Sequence, residues 1–123
     1  MRIYKTKIFR RFQRKEALAD ADLAEAIARA ERGLIDAELG RGLIKQRVAR
    51  PGQARSGGYR TIVAYRVGHR AFFIFGFAKS GQANIPPGDE ARLAVIGATL
   101  MSLSDRGLQA VMANDELWEI DCD

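Results

Sequence analysis

Apolar residues in the first part of the chain recur at helical spacing after a strand-like opening. Residues 2–5 are typical of a short strand, and Phe9 and Phe12 lie three positions apart in a helix predicted over residues 7–15. A second helix is predicted over residues 21–32. Three basic residues share a separate face of the first helix: Lys7, Arg11 and Arg14.

The second predicted helix carries signals at both ends. Asp22 followed by Glu25 resembles a capping box with Asp22 as the cap, and Gly33 stands where helices commonly end. Its helical period is kept by Leu23, Ile27, Ala30 and Leu34.

The middle of the chain alternates at strand spacing. Residues 43–49 place Lys45 and Arg47 on one face and apolar residues on the other. Residues 59–67 alternate as well, whereas residues 70–78 are apolar on both faces, which is typical of a central strand. The last two strands are predicted to form an antiparallel hairpin.

The rest of the chain is predicted to form two helices and a strand. Asp89 is placed to cap a helix through about Leu103, Ser104 to cap a short helix, and residues 117–120 to form a closing strand. Residues 49–58 are predicted to be a long loop. This order of elements predicts an α+β fold with a mainly antiparallel sheet.

Composition places the chain among ordinary globular domains. A length of 123 residues with 47% apolar residues predicts one domain over residues 1–123. The chain has no apolar run of membrane-spanning length and no secretory signal at its start, so we expect a cytoplasmic protein without a membrane partner. The single cysteine, Cys122, excludes an internal disulfide and a cysteine-based metal cluster.

Charge is distributed unevenly along the chain. Twenty Lys and Arg residues outweigh fifteen Asp and Glu residues, and residues 41–80 hold nine basic residues and no acidic one. Residues 81–123 hold eight acidic and two basic residues. The natural partner of such a local positive potential is a polyanion.

Most conventional hydrolase arrangements are absent from the sequence. It contains no HExxH, nucleophile elbow, P-loop or GxGxxG after a strand. The one histidine, His69, falls with Gly68 at the predicted hairpin turn, where we expect a solvated side chain. Protease, esterase and glycosidase chemistry is therefore disfavoured.

Cationic side chains are the remaining candidates for chemistry. If the central strands are neighbours, these basic residues gather at one sheet face: Lys45, Arg47, Arg50, Arg55, Arg60 and Lys79. Arginine binds phosphate oxygens through a rigid fork, and a lysine crowded by like charges can transfer protons. RNA cleavage by its own 2′-hydroxyl needs only these groups, with no metal or cofactor. Taken alone, however, the charge pattern favours polyanion binding without catalysis.

Two further sets of residues have alternative interpretations. Tyr59 and Tyr65 either stack on bases or pack in the core. Arg11 and Arg14 form either a second patch for an RNA backbone or a solvated helix face. The phenylalanines of residues 70–78 are expected in the core.

Two segments resemble the HigB-like branch of the RelE/ParE toxin superfamily, the toxins of type II toxin–antitoxin modules. Residues 45–61 have the sequence KQRVARPGQARSGGYRT, and residues 73–79 have the sequence FIFGFAK. The Ser-Gly-Gly-Tyr-Arg run that ends at Arg60 is the most specific part. The opening strand, the helix before Gly33 and the helical segment after Asn84 and Ile85 fit as well, so the resemblance covers nearly the whole chain.

The resemblance implies two N-terminal helices packed on an antiparallel sheet, and metal-independent cleavage of mRNA on the ribosome. By position, Arg60 matches the strand arginine that contacts the scissile phosphate, and Lys79 matches a basic residue at the end of the next strand. Lys45 and Arg47 match the basic positions before the loop. The resemblance thus implies phosphate stabilisation by the arginines, with the lysines as candidates for proton transfer, and an antitoxin partner with a helix-turn-helix domain.

The chain departs from this family pattern near its C-terminus. RelE-like toxins often carry a tyrosine, histidine or glutamate there, whereas this chain has Trp118, Cys122 and acidic residues. Two alternatives therefore stay open: a ParE-like toxin that binds and poisons DNA gyrase without cutting, and a plain nucleic-acid-binding module.

Overall fold

The computed structural model describes residues 1–49, 58–78, 85 and 87–120. The elements in this part are β1 (Arg2–Thr6), α1 (Lys7–Glu16), α2 (Asp20–Glu31), β2 (Ala37–Gly40), β3 (Leu43–Val48), β4 (Tyr59–Arg66), β5 (Arg70–Ala78), α3 (Pro87–Met101), α4 (Asp105–Ala113) and β6 (Leu117–Ile120). Every predicted element is present, and the α+β class is confirmed. Most of the predicted loop over residues 49–58 lies outside the described residues.

β2 is the one element of the described part that the hydrophobic pattern did not predict. It is four residues long, and its residues alternate only between half-buried and exposed. A short edge strand of this kind buries no side chain fully, so it leaves no strong alternation in the sequence.

The described strands form one sheet in the order β2-β3-β4-β5-β1-β6. All neighbouring pairs are antiparallel except β1 and β5, which run parallel. The predicted β4–β5 hairpin is present, with Gly68 at a φ of +70° in its turn. His69 is exposed in this turn, as expected.

Helices cover both faces of the sheet. On what we call the α1–α2 face, Phe9 and Ile27 pack with sheet residues such as Val63 and Phe73. On the α3–α4 face, the buried cluster includes Leu93 and Leu108 from the helices, together with Ile62 and Phe72 from the sheet. The predicted packing of the N-terminal helices on the sheet is therefore confirmed.

The cap of α2 differs from the prediction. The helix begins at Asp20 with Ala19 as the N-cap, and Asp22 reaches back so that its carboxylate accepts a hydrogen bond from the Ala19 N–H at 3.1 Å. Asp22 therefore occupies the third helical position, where a capping-box acid belongs, and not the cap itself. The end of α2 is as predicted, with Gly33 at a φ of +83°.

α3 lies against the sheet at its Ala64 end. A Cβ built at Gly97 would meet the Cβ of Ala64 at 2.9 Å, so only glycine allows this close contact of helix and strand. From Ala64, strand β4 extends back toward its first residues and reaches Arg60. The neighbouring strand β3 extends in the same direction in space and reaches Arg47. No helix within the described ranges combines the length and apolarity that crossing a lipid bilayer requires.

Candidate functional site

Arg47 and Arg60 are directly opposite each other on β3 and β4. Lys45 stands opposite Ile62 two positions along, so the register brings Lys45, Arg47 and Arg60 to the same face of the sheet. This is the α3–α4 face, since Ile62 belongs to the buried cluster there. The three cations form what we call the cation cluster.

Arg60 is the buried member of this cluster, at 6% exposure, whereas Arg47 is exposed. Burial lowers the pKa of the Arg60 guanidinium, the charge of Arg47 lowers that pKa further, and Asp36 partly opposes both. Like charges directly opposite each other on a sheet are destabilising. Repulsion between like charges held close together is typical of sites that bind or transform a charged ligand.

A β-bulge brings two aromatic residues beside the cation cluster. The register between β4 and β5 shifts between Ile62 and Val63, so that Phe75 pairs with Ile62 and Phe77 with Arg60. The rings of Phe75 and Phe77 are 6.1 Å apart between centroids. Without the shift, strict alternation would place both rings on the α1–α2 face with Phe73.

Phe75 is the member of this aromatic pair that the sequence reasoning missed. All phenylalanines of this strand were expected in the core, and Phe72 and Phe73 are fully buried. Phe77 is 6% exposed, but Phe75 is only partly buried and adjoins the cation cluster. The one sequence signal was Gly76 within the aromatic run, because a glycine inside a strand often accompanies a bulge.

Three predicted site residues, Arg50, Arg55 and Lys79, lie outside the described residues. Their roles stay predictions based on the sequence. Cys122 also lies outside this part of the chain.

Tyr59 and Tyr65 lie on the α1–α2 face, whereas the cation cluster lies on the opposite face of the sheet. Tyr59 is 2% exposed, its hydroxyl donates to the Glu16 carboxylate at 2.9 Å, and its ring meets Phe12 edge-on at 5.4 Å. Tyr65 is 9% exposed, and burial raises the pKa of its hydroxyl. In this arrangement Tyr59 has no ring face available to a base, which agrees with the core interpretation of both residues.

Basic residues of α1 form a second cationic surface, away from the cation cluster. Lys7, Arg10, Arg11 and Arg14 line a recess together with Asp115 and Trp118. The Arg10 guanidinium lies over the Trp118 ring at 4.2 Å from the centroid. The predicted common face of Lys7, Arg11 and Arg14 is therefore present, and it adjoins an aromatic ring.

Not every basic residue of the chain belongs to these two surfaces. Arg70 is 6% exposed, donates to the Leu103 carbonyl and pairs with Asp105 at 3.0 Å. Arg29 is 5% exposed and is held by Glu25 and Asp36. Within the described residues, no three His, Cys, Asp or Glu side chains come together in a group that could hold a metal ion.

Comparison with protein-family models gives a match over nearly the whole chain. The family model described as the RelE toxin of the RelE / RelB toxin-antitoxin system matches residues 1–120. No curated protein shows a significant match to the chain.

Proposed function

Because the chain belongs to the RelE toxin family, and is therefore a toxin of a toxin–antitoxin system with a cognate antitoxin, we propose that it cleaves messenger RNA on the ribosome. We place it in the HigB-like branch, with a helix-turn-helix antitoxin and the cytoplasm as its site of action. The sequence KQRVARPGQARSGGYRT supports membership in the HigB-like branch. The cation cluster supports cleavage of RNA.

The proposed reaction uses the 2′-hydroxyl of the RNA itself. The 2′-oxygen bonds to the adjacent phosphorus and the bond from phosphorus to the 5′-oxygen breaks, leaving a 2′,3′-cyclic phosphate and a free 5′-hydroxyl. One proton passes from the 2′-hydroxyl to a base, and one passes from an acid to the departing 5′-oxygen. In this scheme the positive charge comes from side chains, and no metal ion takes part.

The single observation that carries this proposal is the cross-strand pair of Arg47 and Arg60. Two guanidinium forks on one face can hold the non-bridging phosphate oxygens, and they stabilise the extra negative charge of the transition state. Bound phosphate would also offset the repulsion between the two arginines. Lys45 on the same face, and Lys79, are the candidates for proton transfer.

Phe75 provides a surface for a neighbouring base. An aromatic ring beside a phosphate site stacks on bases whatever their identity, which positions a single strand without reading its sequence. The partly buried ring of Phe75 is placed for this role.

The test is primer extension on a message translated in a cell-free extract, with wild-type protein, Arg60→Ala and Arg32→Ala. Arg32 is exposed beyond α2 and is the control for loss of one arginine. We expect cuts with wild type and Arg32→Ala, and a loss of about 10²–10³-fold in rate with Arg60→Ala. Intact message with the wild-type protein, together with inhibition of DNA supercoiling by gyrase, would instead identify a ParE-like poison.

A further inference from the structure

The hydrogen-bonded ladder between β2 and β3 ends two residues before Arg47 of the cation cluster. Its last described pair joins Ala37 to Lys45. β3 continues beyond this pair to Arg47, whose N–H and C=O point to the β2 side and need other partners. Side chains supply these partners.

Arg29 and Asp36 together hold the backbone of Arg47. The Asp36 carboxylate accepts a hydrogen bond from the Arg47 N–H at 2.7 Å, and the Arg29 guanidinium donates to the Arg47 carbonyl oxygen. The same two side chains pair with each other at 3.2 Å. One ion pair therefore replaces the strand that would otherwise bond to Arg47 on this side.

This ion pair is itself fixed in place. Arg29 is 5% exposed and pairs with Glu25 at 2.8 Å one helical turn earlier. The N–H of Asp36 donates to the side-chain oxygen of Gln46 at 2.7 Å, and Gln46 is fully buried. The group that binds Arg47 is thus anchored both to α2 and to β3.

The direction of these bonds has a consequence for Arg60. When the N–H and C=O of a strand residue point to one neighbour, the residue opposite it on the other neighbour forms a non-hydrogen-bonded pair. In such a pair the side chains stand closest together. Binding of Arg47 by Arg29 and Asp36 therefore favours the arrangement in which the side chains of Arg47 and Arg60 are adjacent.

We propose that Arg29 and Asp36 are positioning residues, which hold Arg47 in the conformation that lets it bind the RNA phosphate together with Arg60. The proposal rests on the proposed function, since it assigns these residues to the same phosphate site. Neither residue contacts the RNA. Their hydrogen bonds act through Arg47, and the charge of Asp36 also acts on Arg60.

The first measurement is amide hydrogen exchange at Arg47 by NMR in the full chain. With Asp36→Ala we expect the Arg47 amide to exchange about tenfold or more faster, because its charge-assisted hydrogen bond is lost. Asp36→Asn keeps an acceptor oxygen and is expected to restore part of the protection. The matched control is Asp20→Ala, which removes the partner of Lys5 elsewhere in the molecule. Unchanged exchange at Arg47 in Asp36→Ala would overturn the proposal.

The second measurement is a double-mutant cycle on the affinity for a short single-stranded RNA at low salt. We expect Arg47→Ala to weaken binding about tenfold in the wild-type and Asp20→Ala backgrounds, and less than about twofold in the Asp36→Ala background. Equal losses in all three backgrounds would overturn the positioning role and leave the phosphate site intact. No loss from Arg47→Ala in the wild-type background would contradict the proposed phosphate site itself, and the positioning role with it.

Discussion

The ring of Phe12 occupies the space where a side chain would stand at Gly76. A Cβ built on Gly76 would come within 2.5 Å of two ring carbons of Phe12, and no real Cβ tolerates such a contact with a ring. The close contact seats α1 on β5 immediately beside the bulge that turns Phe75 and Phe77 toward Arg60. Gly76 thus connects the packing of α1 with the shape of the candidate site.

We therefore predict that Gly76→Ala lowers the free energy of unfolding by about 1–3 kcal/mol, the usual cost of overpacking. Urea denaturation followed by circular dichroism measures the change. Gly88→Ala, where an added Cβ meets nothing within 4 Å, is the control and is expected to keep or slightly raise the stability, since alanine favours a helix more than glycine does. Equal stability of Gly76→Ala and wild type would show that Phe12 can move aside.

Arg47→Gln is predicted to stabilise the fold and to weaken the binding of RNA. Removal of one of two opposed like charges raises the free energy of unfolding by about 0.2–1 kcal/mol. The same change weakens binding of single-stranded RNA, since one phosphate contact is lost. Urea denaturation and fluorescence anisotropy with a labelled RNA measure the two effects. A variant that loses both stability and affinity would argue that the arginine pair is not repulsive in the folded protein.

The ion pair of Lys5 and Asp20, with 2.8 Å between Nζ and Oδ1, predicts a specific pH dependence. Burial alone would raise the pKa of Asp20, but hydrogen bonds from Lys5 and Gln13, together with the charge of Lys5, outweigh it and lower the pKa. The stabilisation from Asp20 is therefore fully present above its unfolded pKa of about 3.9, and it disappears as the pH falls through the lower folded value.

Accordingly, the stability difference between wild type and Asp20→Asn should be constant near neutral pH and shrink below about pH 4. Urea denaturation across this pH range measures it. Asp89→Asn, at an exposed pair with Arg92 on α3, is the control for a surface carboxylate. A difference that grows on acidification would mean that the pKa of Asp20 is raised.

The second cationic surface, formed by basic residues of α1, is predicted to contribute to RNA affinity through charge alone. In the double variant Arg11→Gln with Arg14→Gln, the slope of log affinity against log salt should fall by about 0.7 for each lost contact with single-stranded RNA. The rate of cleavage of saturating message should stay unchanged, because α1 and the cation cluster lie on opposite faces of the sheet. Arg32→Gln is the matched control. An unchanged slope in the double variant would assign these arginines to a solvated helix face.

The cation cluster was predictable because strand geometry has a fixed period of two. Once Lys45 and Arg47 lie on one strand and Arg60 on its antiparallel neighbour, a common face needs only the correct register. The β4–β5 turn and the C-terminal end of α2 were predictable for a similar reason. They depend on local signals such as Gly33 and Gly68, both of which have positive φ angles.

The aromatic part of the site could not be predicted in this way. The bulge beside Ile62 is a tertiary feature, and it reverses the face to which Phe75 and Phe77 belong. Charge counting along the sequence also includes Arg70, which belongs to the basic segment of the sequence but pairs with Asp105 in the fold. A like-signed stretch in sequence does not reveal which of its members are neutralised by distant residues.

The position of β1 in the sheet has a consequence for the order of events during synthesis. β1 lies between β5, which it joins in parallel, and β6, so its two neighbours are Arg70–Ala78 and Leu117–Ile120. In a nascent chain the first strand can pair with β5 well before β6 exists, and it gains β6 as its second neighbour only after more than a hundred further residues have been added. Assembly of the complete sheet is therefore deferred until nearly all of the fold has been translated.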